Sequence, residues 1–335
     1  MEHWGLGGVD TRMQIVITGG AGFIGSHLCE KLLGLGHTVY CLDDLSTGSL
    51  NNLAALEKHG HFQFRFQDVT EPFEVEGAVE AVVHLASPAS PSDFGRMSLE
   101  TLSAGSVGTR NALELAKGKR ARFLFASSSE VYGDPSTHPQ PEEYWGNVNP
   151  VGPRSAYDEA KRFSEALVAA FRRRFGLDAR IARVFNTYGP RMRPSDGRVI
   201  PTFIGQALRN DDLTIFGTGD QTRSLCYISD MAEALTQLLL VDAEAADDRG
   251  QPEPSGLHGP INLGCPHETS IKDLARMIIA LTDSRSQLAW RPLPADDPKL
   301  RCPDITRANQ LLGWQPHVTL AEGLKATIGY FRREA

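Results

Sequence analysis

Residues 13–25, Met-Gln-Ile-Val-Ile-Thr-Gly-Gly-Ala-Gly-Phe-Ile-Gly, leave this chain few folds to choose from. The apolar run Ile15-Val16-Ile17 reads as a buried strand, Gly19, Gly22 and Gly25 follow at fixed spacing, and Ser26 to Leu33 reads as a helix. In such a unit the first glycine permits a tight turn and the second lets backbone approach a pyrophosphate. The third brings helix and strand close, with helix N–H groups facing the phosphates. A second apolar strand, Thr38 to Leu42, ends in Asp43, where a carboxylate can accept from a ribose 2′-hydroxyl. No Arg or Lys accompanies Asp43, which favours NAD over NADP. Gly19, Gly22, Phe23, Ile24, Gly25 and Asp43 are therefore expected cofactor contacts. Asp44 opens a polar loop, Asp44 to Asn52, expected to close over the adenosine.

The rest of the first half repeats this alternation. Phe62 to Phe66 reads as a third strand, followed by Asp68 and Val69 at the adenine end. Val79 to Ala86 is nearly all apolar, hence a strand buried on both faces, and it runs into His84-Leu-Ala-Ser-Pro-Ala-Ser-Pro91, where two prolines break regular structure. Ser98 to Ala116 has helical periodicity, Ala121 to Ala126 is a fifth strand, Ser155 to Phe175 a long helix and Ala179 to Val184 a sixth strand. Alternating strands and helices predict an α/β fold: a doubly wound parallel Rossmann sheet with a smaller substrate-binding C-terminal domain. Ligands on such sheets sit beyond the carboxyl ends of the strands, which is where Leu85, Ala86 and Ser87 fall. The expected boundaries are 13–186 with 224–242 returning for the NAD-binding part, 187–223 and 259–333 for the substrate part, and a short extension over 1–12. Asp242 to His258 reads as a surface loop, and Ile271–Leu281 and Leu320–Phe331 as amphipathic helices of the smaller part.

Composition narrows the partners. A net charge of -7 offers no basic face for nucleic acid. No apolar run has membrane-spanning length and residues 1–12 carry no secretory pattern, so neither membrane nor export is expected. Five scattered cysteines, Cys29, Cys41, Cys226, Cys265 and Cys302, form no CxxC pair and no zinc spacing; they read as reduced thiols of a cytoplasmic protein, with no metal expected.

Tyr157-Asp-Glu-Ala-Lys161 sets a phenol and an ammonium four apart on one helix face. A nearby cation and an oxidised nicotinamide both favour the phenolate, so Tyr157 can take a hydroxyl proton while hydride leaves to NAD. With Thr18-Gly-Gly-Ala-Gly-Phe-Ile-Gly25 and Arg183-Val-Phe-Asn-Thr-Tyr-Gly-Pro-Arg191, the chain resembles an extended short-chain dehydrogenase/reductase of the nucleotide-sugar epimerase/dehydratase family. Further runs resemble its UDP-glucuronate decarboxylase branch: His84 to Pro91, Ser128-Ser-Glu-Val-Tyr-Gly-Asp-Pro135, Tyr144 to Pro150, Asp196-Gly-Arg-Val199, Asp296-Asp-Pro298 and Arg301-Cys-Pro-Asp304.

That resemblance implies C4 oxidation of UDP-glucuronate by bound NAD, loss of the carboxylate from the resulting β-keto acid, and return of the hydride to give UDP-xylose. By motif it assigns Tyr157, Lys161, Ser128, Ser129, Glu130 and Arg301 to catalysis. Ser128 would bond the C4 oxygen, Glu130 or a water it binds would handle a proton, and Arg301 would orient the carboxylate or clamp the diphosphate. Ser87, Pro88, Asn186, Arg191, Arg198, Val199, Phe203, Phe216, Gln221, Arg223 and Arg301 are the implied substrate contacts. The family also implies a homodimer through the helices carrying Leu102, Leu113, Phe163, Leu167 and Ala170. Where it usually shows Lys-Thr-Asn, this chain has Ser103-Ala104-Gly105. A 4,6-dehydratase is disfavoured because Ser129 stands where that branch has an acidic residue, and a 4-epimerase leaves Glu130 without a task. A catalytically silent NAD-binding module would have no reason to keep Ser128, Glu130, Tyr157 and Lys161 together.

Overall fold

The computed structural model describes residues 12–242, 257, 259–292 and 301–334. The expected extension apart from Arg12, nearly all of the loop after Asp242, and Asp296-Asp297-Pro298 lie outside the described residues. The first half comprises β1 (Gln14–Thr18), α1 (Phe23–Gly34), β2 (Thr38–Asp43), β3 (Phe62–Phe66), β4 (Ala81–His84), α2 (Pro91–Phe94), α3 (Ser98–Ser103), α4 (Thr109–Lys119), β5 (Arg122–Ser128), α5 (Ser155–Phe175) and β6 (Ala179–Val184). There follow β7 (Thr187–Tyr188), α6 (Val199–Leu208), β8 (Leu213–Phe216), β9 (Thr222–Ser224), β10 (Cys226–Tyr227) and α7 (Ile228–Leu240). The described chain closes with β11 (Pro260–Leu263), β12 (Glu268–Ser270), α8 (Ile271–Thr282), β13 (Leu288–Arg291), α9 (Thr306–Leu312) and α10 (Leu320–Glu334).

Seven strands form one parallel sheet in the order β11-β6-β5-β4-β1-β2-β3. Side-chain alternation divides the core. Ile15 and Ile17 point to the face covered by α1 and α7, while Val16 points to the face covered by α4 and α5. Burial on both faces explains why the strands read as continuous apolar runs. A separate core joins α6, α8, α10 and β8 through Phe203, Ile204, Ile215, Leu274, Ile278 and Leu324.

Two expectations need correction. Residues 260–263 were assigned to the substrate part, yet β11 pairs with β6 as the edge of the large sheet. Ala308 of α9 and the following Trp314 join the same core as α1 and α7, so this region also belongs with the sheet. The single helix expected over Ser98–Ala116 is interrupted by a π-helical turn, Ala104–Gly108, and runs on to Lys119. That turn contains Ala104 and Gly105, two of the three residues that depart from the family. A Cβ at Gly105 would lie 2.7 Å from the Ala160 Cβ, so glycine lets α5 approach closely.

A fully buried polar chain runs through this contact. Thr18 Oγ1 is 2.7 Å from His84 Nδ1, His84 Nε2 is 3.2 Å from Thr109 Oγ1, and Thr109 Oγ1 is 3.1 Å from Ser164 Oγ, which donates to the Gly105 carbonyl at 2.6 Å. Each group is satisfied if His84 is neutral with its proton on Nε2. Burial, followed by the Lys161 charge, pushes the imidazole down to about 3, which keeps it neutral.

All five thiols are free; Cys265 is half-buried and the others are buried. Among the described residues no helix is long and apolar enough to cross a membrane.

Candidate active site

The cofactor end is built by β1, its turn and α1. Gly19 has φ +73, and a Cβ there would lie 2.7 Å from the Ala86 nitrogen, so only glycine makes this turn against the end of β4 without strain. At Gly25 a Cβ would stand 2.1 Å from the Gly19 carbonyl oxygen, hence the helix can sit this close to the turn only without a side chain. Helix α1 has no side-chain N-cap bond and no acid in its first turn, leaving its N–H groups and positive dipole end suited to an anion. Asp43 accepts from the Ala21 N–H at 2.9 Å and the Leu45 N–H at 2.8 Å. Burial pushes its carboxyl up and these two N–H groups oppose the rise. Each carboxylate oxygen has a second lone pair for another donor. Asp68 accepts from the Thr70 N–H and hydroxyl at 2.8 and 2.7 Å, closing its own turn.

Beyond the carboxyl end of β5, a 3-10 turn, Ser129–Tyr132, faces the first turn of α5. The Tyr157 ring is buried and stacks on Phe94 with centroids 4.9 Å apart. Burial pushes its phenol up to about 12; a hydrogen bond with Ser128 and then the charge of Arg198 pull it back. Lys161 donates to the Ala126 carbonyl at 2.8 Å and lies 5.7 Å from the Tyr157 ring centroid. Burial lowers its ammonium to about 8.

Glu130 is held between two guanidinium groups. Arg154 Nη2 donates to its Oε2 at 2.6 Å, and Arg301 Nη1 lies 3.3 Å from its Oε1. Arg301 also donates to Ser129 Oγ at 3.2 Å and to the Gly133 carbonyl at 2.9 Å. Burial pushes the Glu130 carboxyl up, but the charges of Arg301 and Arg154 outweigh it and bring it down to about 2. Such a group is ionised throughout the neutral range, which suits the expected alternative in which a water bound by Glu130, rather than Glu130 itself, carries the proton. Asp158, one residue beyond Tyr157, is pushed up to about 7, first by burial and then by Glu130.

Arg198 and Arg191 bind residues of the sheet-bearing half. Arg198 pairs with Asp196 at 3.1 Å and donates to the Ala89 carbonyl, while Arg191 pairs with Glu30 of α1 at 2.5 Å. Gln221 donates to the Phe216 carbonyl at 2.7 Å and Arg223 to the Thr222 carbonyl at 2.8 Å.

These groups line a single cavity of about 1240 Å³. Sites for one drug-sized ligand usually span about 300–1,000 Å³, so this one has room for two nucleotides side by side. Every site residue nominated from the sequence lines it, from the glycine turn, Asp43, Asp44, Asp68 and Val69 through Leu85 to Pro88, to Asn186, Val199, Phe203, Phe216 and Arg301. Sequence reasoning missed Arg154 and Phe94, and also Tyr330 and Glu334 of α10, which reach the same cavity. The one available signal for Arg154 was its place three residues before Tyr157, one helical turn away.

Residues 15–249 match the NAD dependent epimerase/dehydratase family. The chain is 46% identical over 323 residues to UDP-glucuronic acid decarboxylase 1 of Xenopus tropicalis, covering 96% of this chain and 73% of that one. It is 47% identical over 323 residues to UDP-glucuronic acid decarboxylase 5 of Arabidopsis thaliana, covering 96% and 90%. Its structure is similar to that of UDP-glucuronic acid 4-epimerase from Bacillus cereus in complex with UDP-glucuronic acid and NAD, with a TM-score of 0.83 at 28% identity, covering 96% of this chain and 100% of that one.

Proposed function

The chain belongs to the NAD dependent epimerase/dehydratase family, and we propose that it is the member that decarboxylates UDP-glucuronate to UDP-xylose. The observation that carries this reading is the cluster beside Tyr157. Two guanidinium groups, Arg154 and Arg301, converge on one carboxylate, Glu130, leaving a net positive charge that a sugar carboxylate neutralises. Ser129, part of that cluster, is far too weak an acid to protonate a departing hydroxyl, unlike a carboxylic acid at its position.

The glycine turn, the uncapped start of α1 and the Asp43 carboxylate fit NAD and would hold its diphosphate and ribose. NAD, when bound, supplies the hydride acceptor for C4 and returns the hydride afterwards. Tyr157 takes the C4 hydroxyl proton; burial disfavours its phenolate, Ser128 and the charge of Arg198 partly offset this, and the positive charge of oxidised nicotinamide, when bound, would favour it further. Once C4 is a ketone, the carboxylate on C5 is β to it; carbon dioxide leaves as the C5 bonding electrons delocalise onto the C4 oxygen. Ser128 and Tyr157 bond that oxygen where the charge develops. C5 then takes a proton, for which ionised Glu130 positions a water rather than acting as the acid. Asn186, Arg191, Arg198, Val199, Phe203, Phe216, Gln221 and Arg223 hold the nucleotide and diphosphate, with Ser87 and Pro88 between sugar and cofactor. The core of α6, α8 and α10 covers the nucleotide, and closure retains the 4-keto intermediate until the hydride returns.

The protein works as a homodimer through α3 to α5. Leu99, Leu102, Val107 and Phe163 are large apolar side chains left exposed there, at 73%, 40%, 47% and 52%. Leu113 was expected on this face but is fully buried against the sheet and takes no part. Light scattering should give twice the chain mass at micromolar concentration, and a monomer mass would refute the dimer. Five free thiols support a reducing, cytoplasmic setting.

The reaction is tested by incubating the protein with UDP-glucuronate. Carbon dioxide and UDP-xylose are expected, without lasting absorbance in the reduced-nicotinamide band. Carbon dioxide accompanied by accumulating NADH would mean that the 4-keto pentose is released, while a C4 epimer formed with no carbon dioxide would overturn the decarboxylase reading.

A further inference from the structure

Away from the cleft, three side chains of different chemistry converge. His138, Glu268 and Cys302 each offer one ligand atom, and these atoms all lie within 4.8 Å of one another. His138 Nε2 is 3.0 Å from Glu268 Oε2. Around a tetrahedral zinc, with Zn–S near 2.3 Å and Zn–N and Zn–O near 2.0–2.2 Å, ligand atoms stand roughly 3.3–3.6 Å apart, so the widest separation has to close by at most about 1.2–1.5 Å. A side-chain torsion absorbs a shift of that size without backbone movement.

We propose that His138, Glu268 and Cys302 form a binding site for one divalent cation of zinc type, with solvent as the fourth ligand. Thiolate, imidazole and carboxylate together select a borderline-soft ion such as Zn²⁺ over Mg²⁺ or Ca²⁺. Cys302 forms the buried floor, while His138 and Glu268 are exposed and give the ion a path from solvent. Outer partners orient two of the three ligands, Glu268 and Cys302. Thr222 donates its hydroxyl to the other Glu268 oxygen, the Cys302 N–H donates to Gln140 Oε1 at 2.9 Å, and the Gln140 N–H donates to the Cys302 carbonyl at 2.9 Å. The ligands are far apart in the chain and thus escape any search for close spacing.

The ion would fasten three segments: the stretch before Gln140, strand β12 and the residue after Arg301. In the β12–β9 pair Glu268 lies opposite Ser224 and Thr269 opposite Arg223, so occupancy links the strand carrying Arg223 to the backbone carrying Arg301. Binding replaces the Cys302 S–H bond by a sulfur–metal bond and releases that proton to solvent, one per ion bound. This inference does not depend on which sugar the cleft accepts.

The test uses full-length protein without a histidine tag, stripped with a chelator and titrated with Co²⁺ alone. One equivalent of Co²⁺ should raise a thiolate-to-cobalt charge-transfer band in the near ultraviolet, and Zn²⁺ should abolish it. Cys302→Ser should remove the band and weaken Zn²⁺ binding at least about 10-fold. His138→Ala, at an exposed position, should keep the band and weaken binding to a similar degree. Cys265→Ser, which alters the nearby half-buried thiol 3.6 Å from His267 Nδ1, should change neither band nor affinity. Absence of the band at stoichiometric Co²⁺, unchanged binding in His138→Ala, or loss of the band in Cys265→Ser would overturn the site.

Discussion

Replacing Arg301 with leucine removes a guanidinium that lies 3.3 Å from Glu130 Oε1, 3.2 Å from Ser129 Oγ and 2.9 Å from the Gly133 carbonyl. Arg301 is only 2% exposed, so water does not readily replace those donors. A buried acceptor left unpaired costs about 1–3 kcal/mol. Glu130 keeps Arg154 at 2.6 Å and the variant no longer desolvates an arginine, which holds the total to about 2–4 kcal/mol at pH 7. The pH dependence separates electrostatics from packing. In the native protein the Glu130 carboxyl sits at about 2 rather than its ordinary 4.5, so its stabilisation is complete above pH 4.5 and is lost as pH falls toward 2. That difference is worth about 3 kcal/mol. In Arg301→Leu burial still pushes the carboxyl up and less charge opposes it, so the variant lacks much of this pH-dependent stability. Its deficit should be widest near pH 7 and narrower by about 1 kcal/mol at pH 3.5, read from urea unfolding at each pH. A deficit of equal size at both would show that packing alone was lost and refute the charge argument. Turnover of UDP-glucuronate should fall about 10- to 150-fold in kcat/KM, from the loss of one charged hydrogen bond of about 1.5–3 kcal/mol.

Tyr157→Phe should slow turnover about 10²- to 10⁴-fold while UDP-sugar affinity by calorimetry stays near native, and near-normal turnover would mean that another group takes the proton. Gly25→Ala sets a methyl 2.1 Å from the Gly19 carbonyl oxygen, so the protein should lose about 1–3 kcal/mol of stability and release little NAD when denatured. Asp43→Ala removes the acceptor of the Ala21 and Leu45 N–H groups and should likewise purify with less NAD; retention equal to the native protein would sink the ribose assignment.

The elements that could be read from the sequence were those whose periodicity and punctuation agree. Helix α5 spans Ser155–Phe175 as its pattern predicts, because Gly176, with φ +65, supplies the left-handed cap that ends it. The glycine turn and Asp43 were legible because backbone approach to phosphate requires particular residue types. Strand β11 was not: four residues long, it carries Asn262 at its centre, fully buried. That side chain accepts from Tyr132 at 2.8 Å and donates to the Gln140 and Asp304 carbonyls at 2.9 and 3.1 Å, partners dispersed along the chain. The π-helical turn was hidden for a related reason, since what it accommodates is Ala160 on another helix. In the cleft, motif spacing located Glu130, but its ionisation depends on Arg154 and Arg301, which meet it only in the fold.

The late arrival of β11 has a consequence for the chain as it is synthesised. Strand β6 ends at Val184 and its neighbour on the sheet edge begins at Pro260, roughly 75 residues later. At about 5–20 residues per second the ribosome takes about 4–15 s to deliver that neighbour. Throughout that interval a nascent sheet built from β1 to β6 presents a strand edge with unpaired backbone groups, the kind of edge that recruits strands from other chains. The yield of native protein should therefore respond to translation speed and chaperone supply over this interval more than over any comparable stretch before it.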